Sequence, residues 1–266
     1  MKALSQKRRH PFAFVALLLL GLLATGGLYA AATTVNQAQA SNAVPEGYQA
    51  EDVAQGERLF VANCATCHGM NAEGTDAGPS LVGVGAASVD FQVGTGRMPM
   101  QMHGPQAQQK PPQFNDEQTA QLAAYVASLG AGPAIPDDEY LDIDQGDPAR
   151  GGELFRINCA MCHNAAGAGG ALTEGKYAPS LHGVEARHIY SAMTTGPQNM
   201  PVFNDANIPP EDKRDIITFL KTYESQGTPG GFSLGFLGPV SEGLLIWTLG
   251  LALLIASMVW LTSRSS

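Results

Sequence analysis

The chain has 266 residues, 44% of them apolar and 15% charged, with a net charge of −9, which suits one large domain or two small ones. The acidic balance argues against a nucleic-acid binder, because holding phosphates takes a basic surface, and only four cysteines argue against a disulfide scaffold. Charge is also segregated: Lys2, Lys7, Arg8, Arg9 and Arg264 lie at the two ends, and all 24 acidic residues lie between residues 46 and 242.

In chain order, a basic tail (1–10) precedes an uncharged run at residues 11–32. As a helix, that run crosses about 30 Å of hydrocarbon. A cleaved signal peptide competes with this reading, with Ala38-Gln39-Ala40 before Ser41 as the cut. The run is longer than the usual h-region of roughly 7 to 15 residues, which favours a retained helix or uncleaved signal anchor.

Next, Val53, Gly56, Leu59 and Phe60 recur at helical spacing before Cys64-Ala-Thr-Cys67-His68. After the methionines of Arg97-Met98-Pro-Met100-Gln-Met102 comes a second helix. Asn115 and Gln118 cap it, Leu122, Tyr125, Val126 and Leu129 form its stripe, and Gly130 stops it. Between such helices the chain reads as Gly/Pro-rich loop. Residues 133–147 carry six acids and no base and read as a semi-extended linker. Gly151, Leu154 and Phe155 then precede Cys159-Ala-Met-Cys162-His163, and Pro209-Pro210 start a helix bearing Ile216, Phe219, Leu220 and Tyr223. A Gly-rich linker (226–242) leads into a second uncharged span at 243–261, with Trp247 and Trp260 near its ends. Basic residues outside both spans put both termini in the cytoplasm and the middle on the outer face.

The middle is a repeat. Gly56–His68 aligns with Gly151–His163 without a gap, Pro79-Ser80-Leu81 with Pro179-Ser180-Leu181, Met98-Pro99 with Met200-Pro201, and Phe114-Asn115-Asp116 with Phe203-Asn204-Asp205. Met98 precedes Phe114 by 16 positions, whereas Met200 precedes Phe203 by 3. This divides the chain into domain 1 (46–132), the acidic linker and domain 2 (148–225).

Each CxxCH suits covalent attachment of a c-type haem. Residues i and i+3 share a helix face, so two thiols reach two vinyl groups while the adjacent histidine turns onto the iron. A zinc site would need a fourth ligand beside Cys2His, a thioredoxin-like site a preceding strand, and a structural disulfide remains open outside a membrane. The sixth ligand must come from far along the chain. Met200 is the candidate in copy two; in copy one Met98, Met100 and Met102 compete, and the Met-Pro alignment selects Met98. His103, His182 and His188 are rival ligands, and Met/His ligation raises the potential relative to His/His. Pro79 and Pro179 are turn formers or, alternatively, carbonyl acceptors that fix the proximal histidine ring.

The Gly/Phe helix, CxxCH, Pro-x-Leu, Met-Pro and final aromatic-bearing helix resemble class I cytochrome c, twice over. With GTGRMP, KPPQF, GKYAPSL, TGPQNMP, EDKRDI and the two spans, nearly the whole chain resembles the dihaem cytochrome c subunit of actinobacterial menaquinol–cytochrome c reductase. That resemblance implies an all-α chain: two tandem class I cytochrome c domains between two transmembrane helices, with Gly56 and Phe60 against Tyr125, and Gly151 and Phe155 against Phe219. It implies two haem c groups, one held by Cys64, Cys67, His68 and Met98, the other by Cys159, Cys162, His163 and Met200. It also implies an electron relay from the Rieske iron–sulfur protein to the copper centre of an aa3-type oxidase. The partners would be cytochrome b, the Rieske subunit, the oxidase and membrane lipid, in a dimeric complex within a supercomplex of the plasma membrane. Alternatives are a subunit of another oxidase or dehydrogenase, or a dihaem enzyme such as a peroxidase or thiosulfate dehydrogenase. The acid-rich first domain and linker would dock a basic partner in a salt-sensitive way.

Overall fold

A computed structural model describes residues 11–40, 47–102, 104–226, 234 and 239–264. The basic tail, His103 and most of the Gly-rich linker therefore lie outside the described residues. The fold is all-α with one two-residue ribbon, β1 (Gly170–Ala171) paired antiparallel with β2 (Tyr177–Ala178). Two compact units are present: residues 1–85 with 120–132, and 86–119 with 133–266. Residues 86–119, from the first copy of the repeat, thus group with the second.

Helix α1 (Pro11–Ala40) contains the first apolar run and continues through Ala38–Ala40. At the other end α10 (Pro239–Leu245) leads through a π turn at Ile246–Gly250 into α11 (Leu251–Ser263). Phe12–Ala31 and Val240–Ser263 are both long and apolar enough to cross a membrane, and none of either span is buried within the chain. A helix that is apolar on every side and unburied by its own chain suits lipid.

In the first unit α2 (Ala50–Asn63) leads into a short turn α3 (Ala65–His68) and packs on the second half of α5 (Asp116–Ser128). Phe60 is 1% exposed, with its ring centroid 5.2 Å from that of Tyr125. Gly56 lies so close to the Gln121 carbonyl that any Cβ would collide with it. The cap of α5 forms as its sequence requires: Gln118 N–H donates to Asn115 Oδ1 at 2.9 Å, and Asn115 N–H to Gln118 Oε1 at 3.2 Å.

The second unit repeats this crossing with α6 (Pro148–Asn158), its short turn α7 (Ala160–His163) and α9 (Pro210–Gln226). Asp147 caps α6, accepting from Ala149 and Arg150 N–H at 2.8 and 3.2 Å, which satisfies donors that no helical carbonyl reaches. Arg150 then grips Asp212 on α9 through two bonds of 2.9 and 2.8 Å. Phe155 is fully buried 5.5 Å from Phe219, and Gly151 packs directly under the Asp215 carbonyl. The core continues through Ile189, Met193, Ile208, Ile216 and Leu220. Each such side chain contributes about 1.5–3 kcal/mol on burial.

Two expectations need correction. The stretches read as loop contain α4 (Ala86–Gly94) and α8 (Ala186–Thr195). Helices of nine and ten residues are marginal alone and depend on tertiary packing. Val89 and Val93 on α4, and Ile189 and Met193 on α8, bury at matching spacing, and Gly196 ends α8 at φ 59°. Within the second unit α4 packs on α8. The acidic linker is likewise not semi-extended: it forms 3₁₀ turns at Asp138–Tyr140 and Ile143–Gln145. These dock on α8 and α9 through Tyr140 stacked 6.2 Å from Tyr190, and through Thr218 Oγ1 donating to the Ile143 carbonyl at 3.3 Å.

Candidate haem sites

Both CxxCH motifs form in the same way. The helix before each ends as the first cysteine N–H bonds back, Cys64 to Phe60 at 2.7 Å and Cys159 to Phe155 at 2.8 Å. A fresh turn follows, in which His68 N–H bonds the Cys64 carbonyl at 3.0 Å and His163 N–H the Cys159 carbonyl at 2.9 Å. Gly69 (φ 83°) and Asn164 (φ 68°) then reverse the chain at a positive φ, which glycine and asparagine tolerate best.

The chain next returns beneath each histidine. His68 Nδ1 lies 2.8 Å from the Pro79 carbonyl, and His163 Nδ1 lies 2.9 Å from the Pro179 carbonyl. A carbonyl can only accept, so Nδ1 carries the proton in both rings and Nε2 keeps its lone pair for a metal. Burial lowers the pKa of His163, against the Pro179 bond that raises it; the neutral ring is the form that ligates iron.

All four thiols are free, so neither pair forms a disulfide. Burial, followed by the neighbouring cysteine of each pair, pushes Cys64 and Cys159 up to about 11. Among the described residues no group of three or more His, Cys, Asp and Glu could hold a metal ion. The copies differ in depth: Cys159 and His163 are buried, whereas Cys64 and His68 are partly exposed and Cys67 is exposed.

The second unit contains a cavity of about 920 Å³ lined by Cys159, Cys162, His163, Pro179 and Met200, at the upper end of the roughly 300–1,000 Å³ typical of cofactor pockets. Phe155, Ile189, Met193 and Leu220 supply apolar wall. Two free thiols, a histidine with Nε2 available, a thioether and a largely apolar wall are what a covalent haem requires, so these residues fit the group.

The remaining sequence candidates are placed as follows. Met98 is partly buried and its N–H bonds the Gln92 carbonyl at 2.9 Å; it belongs to the unit of residues 86–119 and 133–266, and His68 to the other. Met100 is 37% and Met102 78% exposed. Of the rival histidines, His182 Nε2 is engaged by the Ala166 carbonyl at 2.8 Å, and His188 is buried with Nε2 3.7 Å from Asp90. Sequence reasoning missed the cavity-lining Arg97, Gln106 and Gln109. The signal available was the long spacing between Met98 and Phe114.

Comparison with known proteins accords with this geometry. The family model "Cytochrome c" matches residues 53–130, and "Cytochrome C oxidase, cbb3-type, subunit III" matches residues 146–220. The chain is 50% identical over 228 residues to the cytochrome bc1 complex cytochrome c subunit of Corynebacterium efficiens, covering 80% of this chain and 77% of that one. It is 43% identical to the Corynebacterium diphtheriae subunit of the same name, covering 90% and 91% of the two chains. To the Mycobacterium leprae subunit it is also 43% identical, covering 94% and 87%. With two cytochrome c domains built around matched CxxCH turns, this chain belongs to the family of cytochrome bc1 complex cytochrome c subunits.

Proposed function

We propose that this chain is a membrane-anchored dihaem relay, taking electrons from the Rieske iron–sulfur protein of a menaquinol–cytochrome c reductase and delivering them to the copper centre of an aa3-type oxidase. The observation that carries this reading is the duplicated turn in which two free thiols flank a histidine whose Nδ1 is held by a proline carbonyl. Bound haem would supply reversible one-electron exchange at iron. Cys64 and Cys67 would hold the first group with His68 and Met98 as ligands. Cys159 and Cys162 would hold the second with His163 and Met200. Pro79 and Pro179 keep each histidine ring oriented and its Nε2 unprotonated, and Phe155, Ile189, Met193 and Leu220 give the cavity of the second unit an apolar wall. A relay needs both axial positions filled; a dihaem peroxidase or thiosulfate dehydrogenase needs one open. Met200, lining the same cavity as His163, supports the relay.

Both termini would lie in the cytoplasm and the haem domains outside, with cytochrome b, the Rieske subunit and the oxidase as partners in a dimeric assembly within a supercomplex. The acidic linker, with Asp137, Asp138, Glu139 and Asp144 exposed and Tyr140 stacked on Tyr190, supports docking to a basic partner. The match of residues 146–220 to the cbb3-type subunit III favours a different oxidase as the second reading, and it covers one domain only.

Haem staining and mass measurement of the denatured chain should give two covalent haems; fewer than two overturns the reading. Carbon monoxide should bind the reduced protein slowly and substoichiometrically. Purification in mild detergent should recover cytochrome b and the Rieske protein, and recovery of neither would overturn the assignment to this reductase.

A further inference from the structure

The cavity of the second unit is not closed by the second copy of the repeat alone. Part of its wall comes from residues 91–112, which belong to the first copy. The segment after Met98 is the part that copy two lacks, and it is fastened to copy two at two points. The Gln106 side-chain amide donates to the Tyr177 carbonyl at 2.9 Å and accepts from the Tyr177 N–H at 2.9 Å, extending the edge of β2. Ala107 N–H donates to Gln198 Oε1 at 3.2 Å, two residues before Met200. Both contacts lie within one compact unit.

Arg97 stands where this segment begins. It is 8% exposed, its guanidinium lies 4.7 Å from the centre of the Phe91 ring, and it is the one lysine or arginine among the described residues lining the cavity. No carboxylate among the described residues is within ion-pair distance of it. A buried cation without a counter-charge is strongly disfavoured, and removing one partner of a buried pair typically costs about 3–5 kcal/mol. The anion that answers Arg97 is therefore to be sought in the cavity's occupant. A haem carries two propionates, and guanidinium binds carboxylate through two parallel bonds.

Resting on the two-haem reading above, we propose that Arg97, from the first copy, is the propionate-binding residue of the second haem. The long Met98–Phe114 segment is then a strap by which the first haem domain completes the pocket of the second. Electrostatics fixes the sign of the effect. Oxidation adds a positive charge at iron, so a cation held nearby favours the reduced form and raises the midpoint potential. Loss of that cation lowers it.

The test is a redox titration of the purified complex carrying wild-type chain, Arg97→Gln or Arg97→Lys. A Met200→His variant identifies the second haem by its changed spectrum. The glutamine variant should shift the second haem to lower potential and leave the first in place, and lysine should restore most of the shift. A midpoint change confined to the first haem would make Arg97 merely a neighbour of Met98 and overturn the proposal, as would two unmoved midpoints. If glutamine prevents assembly, Arg97→Met supplies a second uncharged variant, where a downward shift of the second midpoint supports and no shift overturns the assignment. A wild-type chain with fewer than two covalent haems would instead overturn the dihaem reading itself.

Discussion

The two copies share an attachment turn to within about 0.1 Å in its backbone bonds, yet they are set in the fold differently. In the second copy the CxxCH turn, the proline carbonyl, α8, Met200 and the final helix all belong to one compact unit. In the first copy the attachment turn and most of the final helix form one unit, and α4 and the methionine segment join the other. The attachment turn is therefore what the two copies share, and the methionine segment, which differs in length between them, groups with the second copy. Depth follows the same division, with Cys159 and His163 buried and their counterparts Cys64 and His68 partly exposed.

The strongest test of that division is Gly151→Val beside Gly56→Val. Each glycine sits under a backbone carbonyl of the final helix, Asp215 or Gln121, which cannot move without the helix. Overpacking of this kind costs about 3 kcal/mol. Thermal unfolding of the haem-loaded chain should show Gly151→Val disturbing both haems, because its unit includes residues 86–119, and Gly56→Val disturbing chiefly the first. Equal effects on both haems from each variant would break the comparison.

Next in size are the methionines proposed as haem ligands. Met200→His should lower the potential of the second haem, since Met/His ligation sits above His/His, and should remove its methionine–iron charge-transfer band. In copy one Met98→His should do the same to the first haem, while Met100→Leu leaves it unchanged. A loss on changing Met100 would transfer the ligand assignment to that residue.

How much of this was legible in the sequence depended on whether a feature is local. The CxxCH turns and the helix starts at Asn115 and Pro210 are local patterns and stand in the structure as expected; the Gly/aromatic crossings, which are long-range and came from the family resemblance, stand as well. Helices α4 and α8 were missed because glycines flank them and their burial comes from distant parts of the chain, α4 packing on α8 and α8 joining the core of Phe155, Ile216 and Leu220. The destination of the Met98–Phe114 segment was not legible either: its length was visible, but a side-chain amide pairing with the edge of a two-residue ribbon 71 positions away leaves no periodic trace.

The α4–α8 contact also predicts a pH effect. Burial lowers the pKa of His188 below 6.5, with Asp90 and Glu185 opposing and Arg187 and Arg97 reinforcing it. The unfolded chain then takes up this proton first as pH falls, so stability is full above about 6.5 and declines below it. Asp90, raised above 3.8 by burial against the pull of Arg187 and His188, acts in the opposite sense between 3.8 and its folded value. His188→Gln should flatten the decline of the melting temperature between pH 6.5 and about 5. An unchanged slope would remove His188 from the account.

The smallest expected effect separates a proline's ring from its carbonyl. Pro179→Ala keeps the backbone oxygen that His163 Nδ1 donates to, and the same holds for Pro79→Ala and His68. If the carbonyl is what orients the ring, both variants keep their haem potentials and lose only the advantage of a restricted unfolded chain, about 0.4–1 kcal/mol. The deeper second site should be the less tolerant of the two, because His163 is buried and solvent reaches it less readily to replace a displaced acceptor. A fall in potential at the second haem alone would mean that the ring of Pro179 is needed to hold its carbonyl in place. A fall at both would assign that role to the proline in each copy, and the two sites would then differ in depth without differing in how they hold their histidines.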